Sequence, residues 1–357
     1  MKKKLLAGLL TIAMASCLFT ACGGNDKASD EEKDVQSEAP EAATDTEAQT
    51  EEEEELVLEG VTVRIGAMTG PTAMTMVKLM DDAQNGNTEI SYEFADLAAD
   101  PAAFLTPLIL GDLDIACVPS NLSSVMYNNT EGGVVVLATC NTGVLYVVER
   151  GETVASLSDL AGKTIYMTGQ GAVPEYTVSY LLNANGIDPT NDLTIQWCAD
   201  TTEALSYISA DESAIAILPQ PFVTAACAQV EDLRVALDLN DEWASVNGDS
   251  SIVTGVVVAR KDFVEANPNT VKAFLLDYEA SIAYTATNTE DAAALIEGYG
   301  IVAKAALAAK ALPSCNLVCM TGDDLKAALS GFLTVLYDQN PQSVGGTLPA
   351  DDFYYNY

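Results

Sequence analysis

Val61-Thr-Val-Arg-Ile65 alternates apolar and polar side chains, which is typical of a β-strand, and Met68-Thr-Gly-Pro71 interrupts that alternation. A regular succession follows: a helix at 72–80, a strand at 89–94, a helix at 101–110 and a strand at 114–118. Strands that alternate with helices predict a parallel sheet with right-handed crossovers. This stretch therefore predicts one α/β lobe.

The same succession occurs a second time further along the chain. Lys163-Thr-Ile-Tyr-Met167 is the first strand, and the later elements are a helix at 175–183, a strand at 193–197, a helix at 202–209 and a strand at 214–218. Each unit has a loop with Gly and Thr after its first strand, and a proline closes its third strand, Pro119 in one and Pro219 in the other. The sequence thus predicts two α/β lobes.

Two apolar segments lie where the chain would pass between the lobes. Val134 to Glu149 is a long apolar run interrupted at 139–143, and Ser251 to Ala259 is a second apolar strand. We expect a hinge of two crossings, near 140–146 and 252–256. Lobe 1 would then comprise 60–141 plus 256–357, with its helical part returning after residue 262, and lobe 2 would comprise 142–255.

The amino-terminal residues resemble an export signal. Lys2 to Lys4 form a positive region, and the apolar run from Leu5 to Ala15 is shorter than the ~20 residues that span a bilayer. The segment ending at Ala21-Cys22 resembles a bacterial lipobox, which implies cleavage after residue 21 and a lipid on the thiol of Cys22. Cys17 is a second candidate, and an ordinary cleaved signal with an incidental cysteine is the alternative.

Residues 22–59 are rich in Glu, Asp, Ala and Thr and contain no aromatic residue. Such a composition buries too little apolar surface to offset the chain entropy of folding. We expect an acidic, disordered tether between the signal peptide at 1–21 and the folded part.

The overall composition excludes several functions. Fifty-two acidic residues against 16 basic ones give a net charge of −36, which disfavours binding to nucleic acid. The absence of histidine removes the commonest general base and metal ligand. No cysteine spacing matches a zinc site, although Cys315 and Cys319 are close enough either to form a disulfide or to be a coincidence. We therefore expect no catalytic residue, no metal and no cofactor.

Candidate ligand-binding residues follow from the rule that ligands bind at the carboxyl ends of strands in open α/β sheets. The rule selects Thr69, Gly70, Thr72, Ala73, Ser120 and Asn121 in the first unit, Thr142 and Gly143 at the crossing, and Thr168, Gly169, Gln170, Gly171 and Gln220 in the second. Helix capping and turn geometry are the alternative explanation of these loops. Glu175, beside the second loop, could meet a cationic ligand or favour a helix start.

Four segments together resemble nitrate/sulfonate/taurine-type substrate-binding proteins of ABC transporters, in particular a Firmicutes lipoprotein subgroup. They are Gly66-Ala-Met-Thr-Gly-Pro-Thr-Ala-Met74, Gly111-Asp-Leu-Asp-Ile-Ala-Cys-Val-Pro-Ser120, Ser156-Leu-Ser-Asp-Leu-Ala-Gly-Lys-Thr-Ile165 and Ile217-Leu-Pro-Gln-Pro-Phe222. The resemblance implies a type II periplasmic-binding-protein fold and a small organic ligand in an interlobe cleft. It also implies docking on ABC permease subunits at the extracytoplasmic face of the membrane. Gln220 stands where relatives often carry an acidic residue, so the ligand is not carried over.

Two alternative functions are compatible with the same fold. Thiamine-pyrimidine synthases share it, but they consume a histidine of their own chain, and this chain has none. A surface lipoprotein that presents its ligand to a receptor is the other alternative. The sequence favours a monomeric, lipid-anchored binding protein that is not an enzyme.

Overall fold

A computed structural model describes residues 57–248 and 250–356, all within one unit, Glu54–Tyr357. The predicted signal peptide at 1–21, residues 22–56 of the predicted tether and the predicted lipidation site at Cys22 lie outside the described residues. The last residues of the predicted tether pack on the folded part. The carboxylate of Glu59 accepts hydrogen bonds from the backbone N–H of Thr270 at 2.8 Å and of Asn269 at 3.1 Å.

The described residues form two five-stranded sheets. Their strands are β1 Thr62–Ala67, β2 Ser91–Phe94, β3 Ile115–Pro119, β4 Val134–Asn141, β5 Leu145–Arg150, β6 Thr164–Met167, β7 Thr194–Trp197, β8 Ile215–Pro219, β9 Leu233–Asp238 and β10 Gly255–Arg260. The first sheet has the order β2-β1-β3-β10-β4, and the second has the order β7-β6-β8-β5-β9. In each sheet three strands are parallel and the other two are joined through antiparallel pairs.

Helices cover both sheets. They are α1 Pro71–Met74, α2 Val77–Gln84, α3 Ala102–Leu110, α4 Ser120–Asn129, α5 Val173–Ala184, α6 Thr201–Ala210, α7 Phe222–Gln229, α8 Leu239–Val246, α9 Lys261–Ala266, α10 Pro268–Thr287, α11 Thr289–Gly298, α12 Ala305–Ala311 and α13 Gly322–Gln339. Proline lies in the first two positions of α1, α5 and α10, where its missing N–H costs no helical hydrogen bond.

The sequence prediction differs from the structure at several elements, since α4, α7 and α8 were not predicted and two further elements differ in detail. The helix predicted over 72–80 is two helices, because the hydroxyl of Thr75 donates to the carbonyl of Thr72 and the N–H of Met76 donates to Ala73 instead. That arrangement tightens the turn and ends α1. The strand β9 was not predicted, although Leu233 and Leu237 are buried and Val235 between them is exposed.

A crossing of three residues, 142–144, joins the two sheets. It runs from Asn141 at the end of β4 to Leu145 at the start of β5. The carbonyl of Gly143 accepts two side-chain amides, Asn240 from the second sheet's α8 at 2.9 Å and Asn316 from the carboxyl-terminal region at 2.6 Å. The N–H of Thr142 donates to the carbonyl of Asn316 at 3.0 Å. Side chains from both halves of the molecule therefore hold the crossing in place.

An apolar interface also connects the two halves. Helix α13, which packs on α4 and β4 of the first sheet, contacts α5 of the second. The indole of Trp243, 1% exposed, lies between Tyr180 and Phe332, with ring centroids 4.8 Å and 5.5 Å away. One buried apolar cluster thus continues from one half into the other.

Buried carboxylates hold the amino edges of the sheets, opposite the crossing. Asp114, 2% exposed, accepts the guanidinium of Arg64 at 2.6 Å and that of Arg260 at 3.1 Å. Burial alone would raise the pKa of Asp114, but the hydrogen bonds from Arg64 and Arg260 outweigh it and hold the pKa below its usual value. In the second sheet, Glu149 pairs in the same way with Arg234.

Replacing Asp114 with asparagine should lower the free energy of unfolding at pH 7 by about 2–3 kcal/mol, because two guanidinium groups lose a charged partner. The folded-state pKa of Asp114 lies below the unfolded value of ~3.9. Its stabilisation is therefore present above about pH 4 and is lost as the pH falls through the folded pKa. Urea denaturation should show the difference between wild type and Asp114→Asn shrinking from pH 7 toward pH 2.

The control for this experiment is Asp262→Asn, since Asp262 also pairs with Arg260 but is 75% exposed. We expect that variant to stay within about 0.5 kcal/mol of wild type. Equal losses in both variants at pH 7 would contradict a special role for the buried carboxylate.

Replacing Gly143 with alanine should destabilise the crossing. The new Cβ would lie 2.2 Å from Oδ1 of Asn240 and 3.0 Å from Cδ1 of Ile252, so the Asn240 amide must leave the Gly143 carbonyl. We expect a loss of about 1–3 kcal/mol in chemical denaturation. Gly248→Ala is the control, because its Cβ would meet nothing closer than 3.4 Å. A neutral Gly143→Ala would show that the amide contact is dispensable.

Candidate ligand-binding site

The carboxyl edges of the two sheets meet at the crossing. In the first sheet, Gly255 pairs with both Pro119 and Asn141, which places the ends of β3 and β4 and the start of β10 at one edge. In the second sheet, Leu145 pairs with Pro219 at the end of β8. Four Cα steps from Asn141 to Leu145 span at most ~14 Å. The loops that follow the parallel strands of both sheets therefore lie near the crossing, where the sequence predicts an interlobe cleft.

The first predicted loop lies at this edge, and its hydrogen bonds are made to backbone carbonyls of the same lobe. The N–H of Thr69 donates to the carbonyl of Ala98 at 2.9 Å, and the hydroxyl of Thr72 donates to that of Met68 at 2.7 Å. Gly70 has φ 102°, a conformation that favours glycine, and precedes α1. Ala73 is fully buried in the apolar core, so its side chain does not line the cleft.

Ser120 and Asn121 begin α4 and are buried. The Ser120 hydroxyl donates to the carbonyl of Val253 in the second crossing. The amide of Asn121 donates to the carbonyl of Ser343 at 3.2 Å, while its Oδ1 has no hydrogen-bond partner among the described residues. These two residues tie α4 to the hinge and to the carboxyl-terminal segment.

The second loop has the turn geometry that its glycines suggest. Gly169 and Gly171 have φ of 86° and 74°, and Gln170 between them is exposed, whereas Thr168 is half-buried. The N–H of Gly171 donates to the carboxylate of Glu175. Glu175 thus binds the loop that precedes its own helix.

Gln220 is 5% exposed and lies directly after β8. Its Oε1 accepts the N–H of Thr224 at 3.3 Å and the Thr224 hydroxyl at 2.9 Å, which fixes the side chain over the start of α7. Its backbone N–H donates to the carbonyl of Val144 at 2.9 Å. Gln220 therefore connects β8 to the crossing.

A cavity of ≈ 360 Å³ lies beside the crossing; nine of its ten lining residues lie between positions 142 and 252, and the tenth, Asn316, belongs to the carboxyl-terminal region. Its lining residues are Thr142, Asp238, Asn240, Asp241, Trp243, Ala244, Ser250, Ser251, Ile252 and Asn316. The volume suits a small ligand. Of the residues predicted from sequence, Thr142 lines this cavity; the others lie along the sheet edges or, like Gly143, in the crossing behind it.

Sequence reasoning missed Asp238, Asn240 and Asp241. They follow β9, so the same carboxyl-end rule would have selected Asp238 if Leu233–Asp238 had been recognised as a strand. Asp238 accepts the N–H of Asn240 at 2.8 Å and caps α8. No sequence pattern indicated Asn316 as a site residue, because it lies in a segment without regular secondary structure, where its φ is 48°.

Tyrosines near the cleft join the two halves. The hydroxyl of Tyr146 donates to the carbonyl of Ser314 at 3.0 Å, and burial, aided by the charge of Asp238, raises the pKa of Tyr146 to about 12. Gln339 donates to the carbonyl of Tyr176 at 3.0 Å. Tyr146 and Tyr176 thus contribute contacts between the halves, and Tyr146 stays protonated at neutral pH.

The described residues offer no group of three or more Cys, Asp or Glu side chains that could hold a metal ion. All six cysteines in this part of the chain are free thiols, including Cys315 and Cys319, whose pairing the sequence left open. None of the helices in the described ranges is long and apolar enough to cross a membrane.

Several solved structures that share this fold are described as parts of ABC-type transport systems or as periplasmic binding proteins. An ABC transporter protein from Parabacteroides distasonis has a TM-score of 0.67 at 22% identity, over 83% of this chain and 99% of that one. The periplasmic aliphatic sulphonate binding protein SsuA from Escherichia coli gives 0.64 at 16%, over 83% and 92%. The ligand-binding component of an ABC-type import system from Staphylococcus aureus, solved with zinc, gives 0.60 at 13%, over 83% and 96%.

These likenesses confirm the predicted fold, two α/β lobes of the periplasmic-binding-protein type. Among curated proteins there is no match. A family model described as NMT1/THI5 like matches residues 97–292, which is more than half of the chain. The matched range begins before β3, includes the whole second sheet and the crossing, and ends in α11. The chain therefore belongs to the NMT1/THI5-like family.

Proposed function

We propose that this protein is the extracytoplasmic solute-binding lipoprotein of an ABC importer. It captures a small organic molecule between two lobes, 60–141 plus 256–357 and 142–255, and delivers it to the permease as a monomer. The observation that carries the proposal is the meeting of two carboxyl edges at a crossing of three residues, beside a cavity of lobe 2 residues to which lobe 1 contributes Asn316. The fold of the transporter proteins supports it.

The hinge would work by changing the contacts around residues 142–144. Asn240 and Asn316 bind one carbonyl from opposite lobes, and Gln339 reaches Tyr176 across the cleft. A ligand that contacts both lobes binds the closed arrangement more tightly than an open one and so shifts the population toward it. The permease would then distinguish the closed, loaded protein from the open one.

Binding of a ligand without a chemical reaction agrees with the side chains that are present. The chain has no histidine, so a reaction that consumes a histidine of the same chain has no substrate here. The predicted site residues Thr69, Gly70, Thr168 and Gln170 supply backbone groups, hydroxyls and an amide to the cleft. We propose that these groups orient a ligand that lies against the crossing.

A panel of small solutes should reveal the ligand by thermal shift. A compound present at a hundredfold excess over its Kd stabilises the folded state by ~2.7 kcal/mol, which corresponds to roughly 5 °C or more in Tm. The panel contains taurine, alkanesulfonates, nitrate, pyrimidines, riboflavin, nucleosides, amino acids and organic amines. No shift with any of them would count against ligand capture.

Filling the cavity tests where such a compound binds. Ala244→Trp adds a large side chain at an exposed position that lines the cavity, and Ser245→Trp adds the same side chain next to it, outside the lining. The Tm shift should disappear in the first variant and persist in the second. A shift retained in Ala244→Trp would place the ligand elsewhere.

The proposed anchor depends on Cys22. Cys22→Ser should leave the protein uncleaved or release it from the membrane fraction, and intact-mass spectrometry should show the loss of the diacylglycerol mass. Cys17→Ser, the matched control, should keep both the lipid and the membrane association. Lipid retained in Cys22→Ser but lost in Cys17→Ser would move the anchor to Cys17.

A further inference from the structure

The four arginines of the chain are all engaged far from the cleft. Arg64 and Arg260 pair with Asp114, Arg234 pairs with Glu149, and Arg150 pairs with Glu212 at 3.4 Å. Strand register places each pair at an amino edge: Ala259 lies opposite Ile115, the first residue of β3, and Glu149 lies opposite Ile215, the first of β8. A five-residue strand separates the two edges by roughly 17 Å. No guanidinium is therefore available to an anion in the cleft.

Helix amino termini are the usual alternative for binding an anion, because their N–H groups are unpaired. In lobe 2, side-chain acceptors already take one N–H group at the starts of α7 and α8, and another in the loop two residues before α5, whose own first N–H groups have no side-chain cap. The acceptor and donor pairs are Glu175 with Gly171, Gln220 with Thr224, and Asp238 with Asn240. Two of these acceptors are carboxylates, which would repel an incoming anion.

On the lobe 1 side of the crossing, the Oδ1 atoms of Asn121 and Asn141 are buried acceptors without a hydrogen-bond partner among the described residues. Asn141, 1% exposed, uses its amide N–H on the Thr142 carbonyl, and its Oδ1 has no partner among the described residues. This oxygen is directed at the start of β10, where a Cβ on Gly255 would lie 2.6 Å from it and 2.7 Å from Cγ2 of Thr72. An amide oxygen can only accept, so it complements a ligand that donates N–H groups.

The cavity beside the crossing has the same character. Asp238 and Asp241 are the charged residues among its ten lining residues, and no lysine or arginine is among them. Glu242 follows on the same helix, and burial, together with the charge of Asp241, raises the pKa of Glu242. The charged groups that face this space are therefore negative.

We infer that the interlobe site selects a small organic cation, an ammonium or amidinium, and rejects oxyanions. The two carboxylates of the cavity and the acceptors at the starts of α7 and α8 favour a positively charged N–H donor, and no lysine or arginine lines the cavity to hold an anion. This inference rests on the proposed function and gives the ligand its chemical class. It separates this protein from the Escherichia coli relative of the same fold, which is described as binding aliphatic sulphonates.

Paired probes of opposite charge test the inference on the purified protein. Butylammonium and butanesulfonate share a carbon chain, while guanidinium and nitrate share a planar trigonal shape. Agmatine adds a cation at each end of a four-carbon chain. Thermal shift at low ionic strength should show stabilisation by one or more of the cations and by neither anion, and the stabilisation should weaken as salt screens the carboxylates.

Substitution of Asp238 tests whether its carboxylate is responsible for binding the cation. Asp238→Asn keeps an oxygen that caps α8 but removes the charge, and we expect the affinity for the stabilising cation to fall about tenfold or more. Asp200→Asn is the matched control, since Asp200 caps α6 in the same way and follows β7, at the opposite end of the sheet from β9.

The possible outcomes separate the two proposals. Cation binding that Asp238→Asn weakens and Asp200→Asn leaves unchanged supports the inference. Stabilisation by butanesulfonate or nitrate in the wild-type protein would overturn the inference and leave ligand capture intact. Equal loss in both aspartate variants would also overturn it, because the effect would then be one of net charge. The absence of any shift, with these probes and with the wider panel, would overturn the proposed function itself.

Discussion

The connection between β4 and β5 is the constraint on which the arrangement of the molecule depends. Three residues cannot carry the chain around a sheet, so the carboxyl end of one strand and the beginning of the next must lie within ~14 Å. Because β10 pairs with β4 and β8 pairs with β5, the parallel strands of each sheet bring their own carboxyl ends to the same place. A cleft between two lobes follows from strand pairing and one short connection.

Close contact at the crossing determines which residues can occupy it. The Gly143 carbonyl receives amides from Asn240 and Asn316, and the space on the other side of the glycine is filled by Asn240 and Ile252. Trp243 packs across the same region against Phe332 of the other lobe. The two amide hydrogen bonds and this apolar contact thus connect the two halves of the molecule on both sides of the crossing.

The two ends of each sheet differ in the charged side chains that they carry. Arginine–carboxylate pairs hold the amino edges, where Asp114 and Glu149 are almost fully buried. The carboxyl edges carry acceptors and acids instead, in keeping with a chain of net charge −36. At the carboxyl edge of the second sheet, Glu175 accepts the N–H of Gly171 and Asp238 accepts that of Asn240, so carboxylates of the chain itself lie beside the helix starts there.

Local patterns were sufficient to predict the lobes. Alternation in Val61–Ile65 and in Lys163–Met167, and the repeated order of strand, loop and helix, depend on neighbouring residues, so the sequence by itself determined the α/β class and the positions of most parallel strands. The antiparallel strand β9 escaped prediction, because its outer face is partly polar and its pairing with β5 is a long-range contact. The carboxyl-end rule selected loops at the sheet edges for the same local reason, and their role in ligand binding stays a prediction.

The tertiary structure alone decided which of those residues face a shared space. Thr142 is joined at the cavity by Asp238, Asn240 and Asn316, which come from segments up to 174 positions apart in the chain. The burial of Ala73 and the engagement of Asn121 with Ser343 also depend on elements distant in sequence. The spacing of residues in the sequence indicates the period of a strand or helix. It does not indicate which side chains come into contact when the lobes, the crossings and the carboxyl-terminal segment pack together.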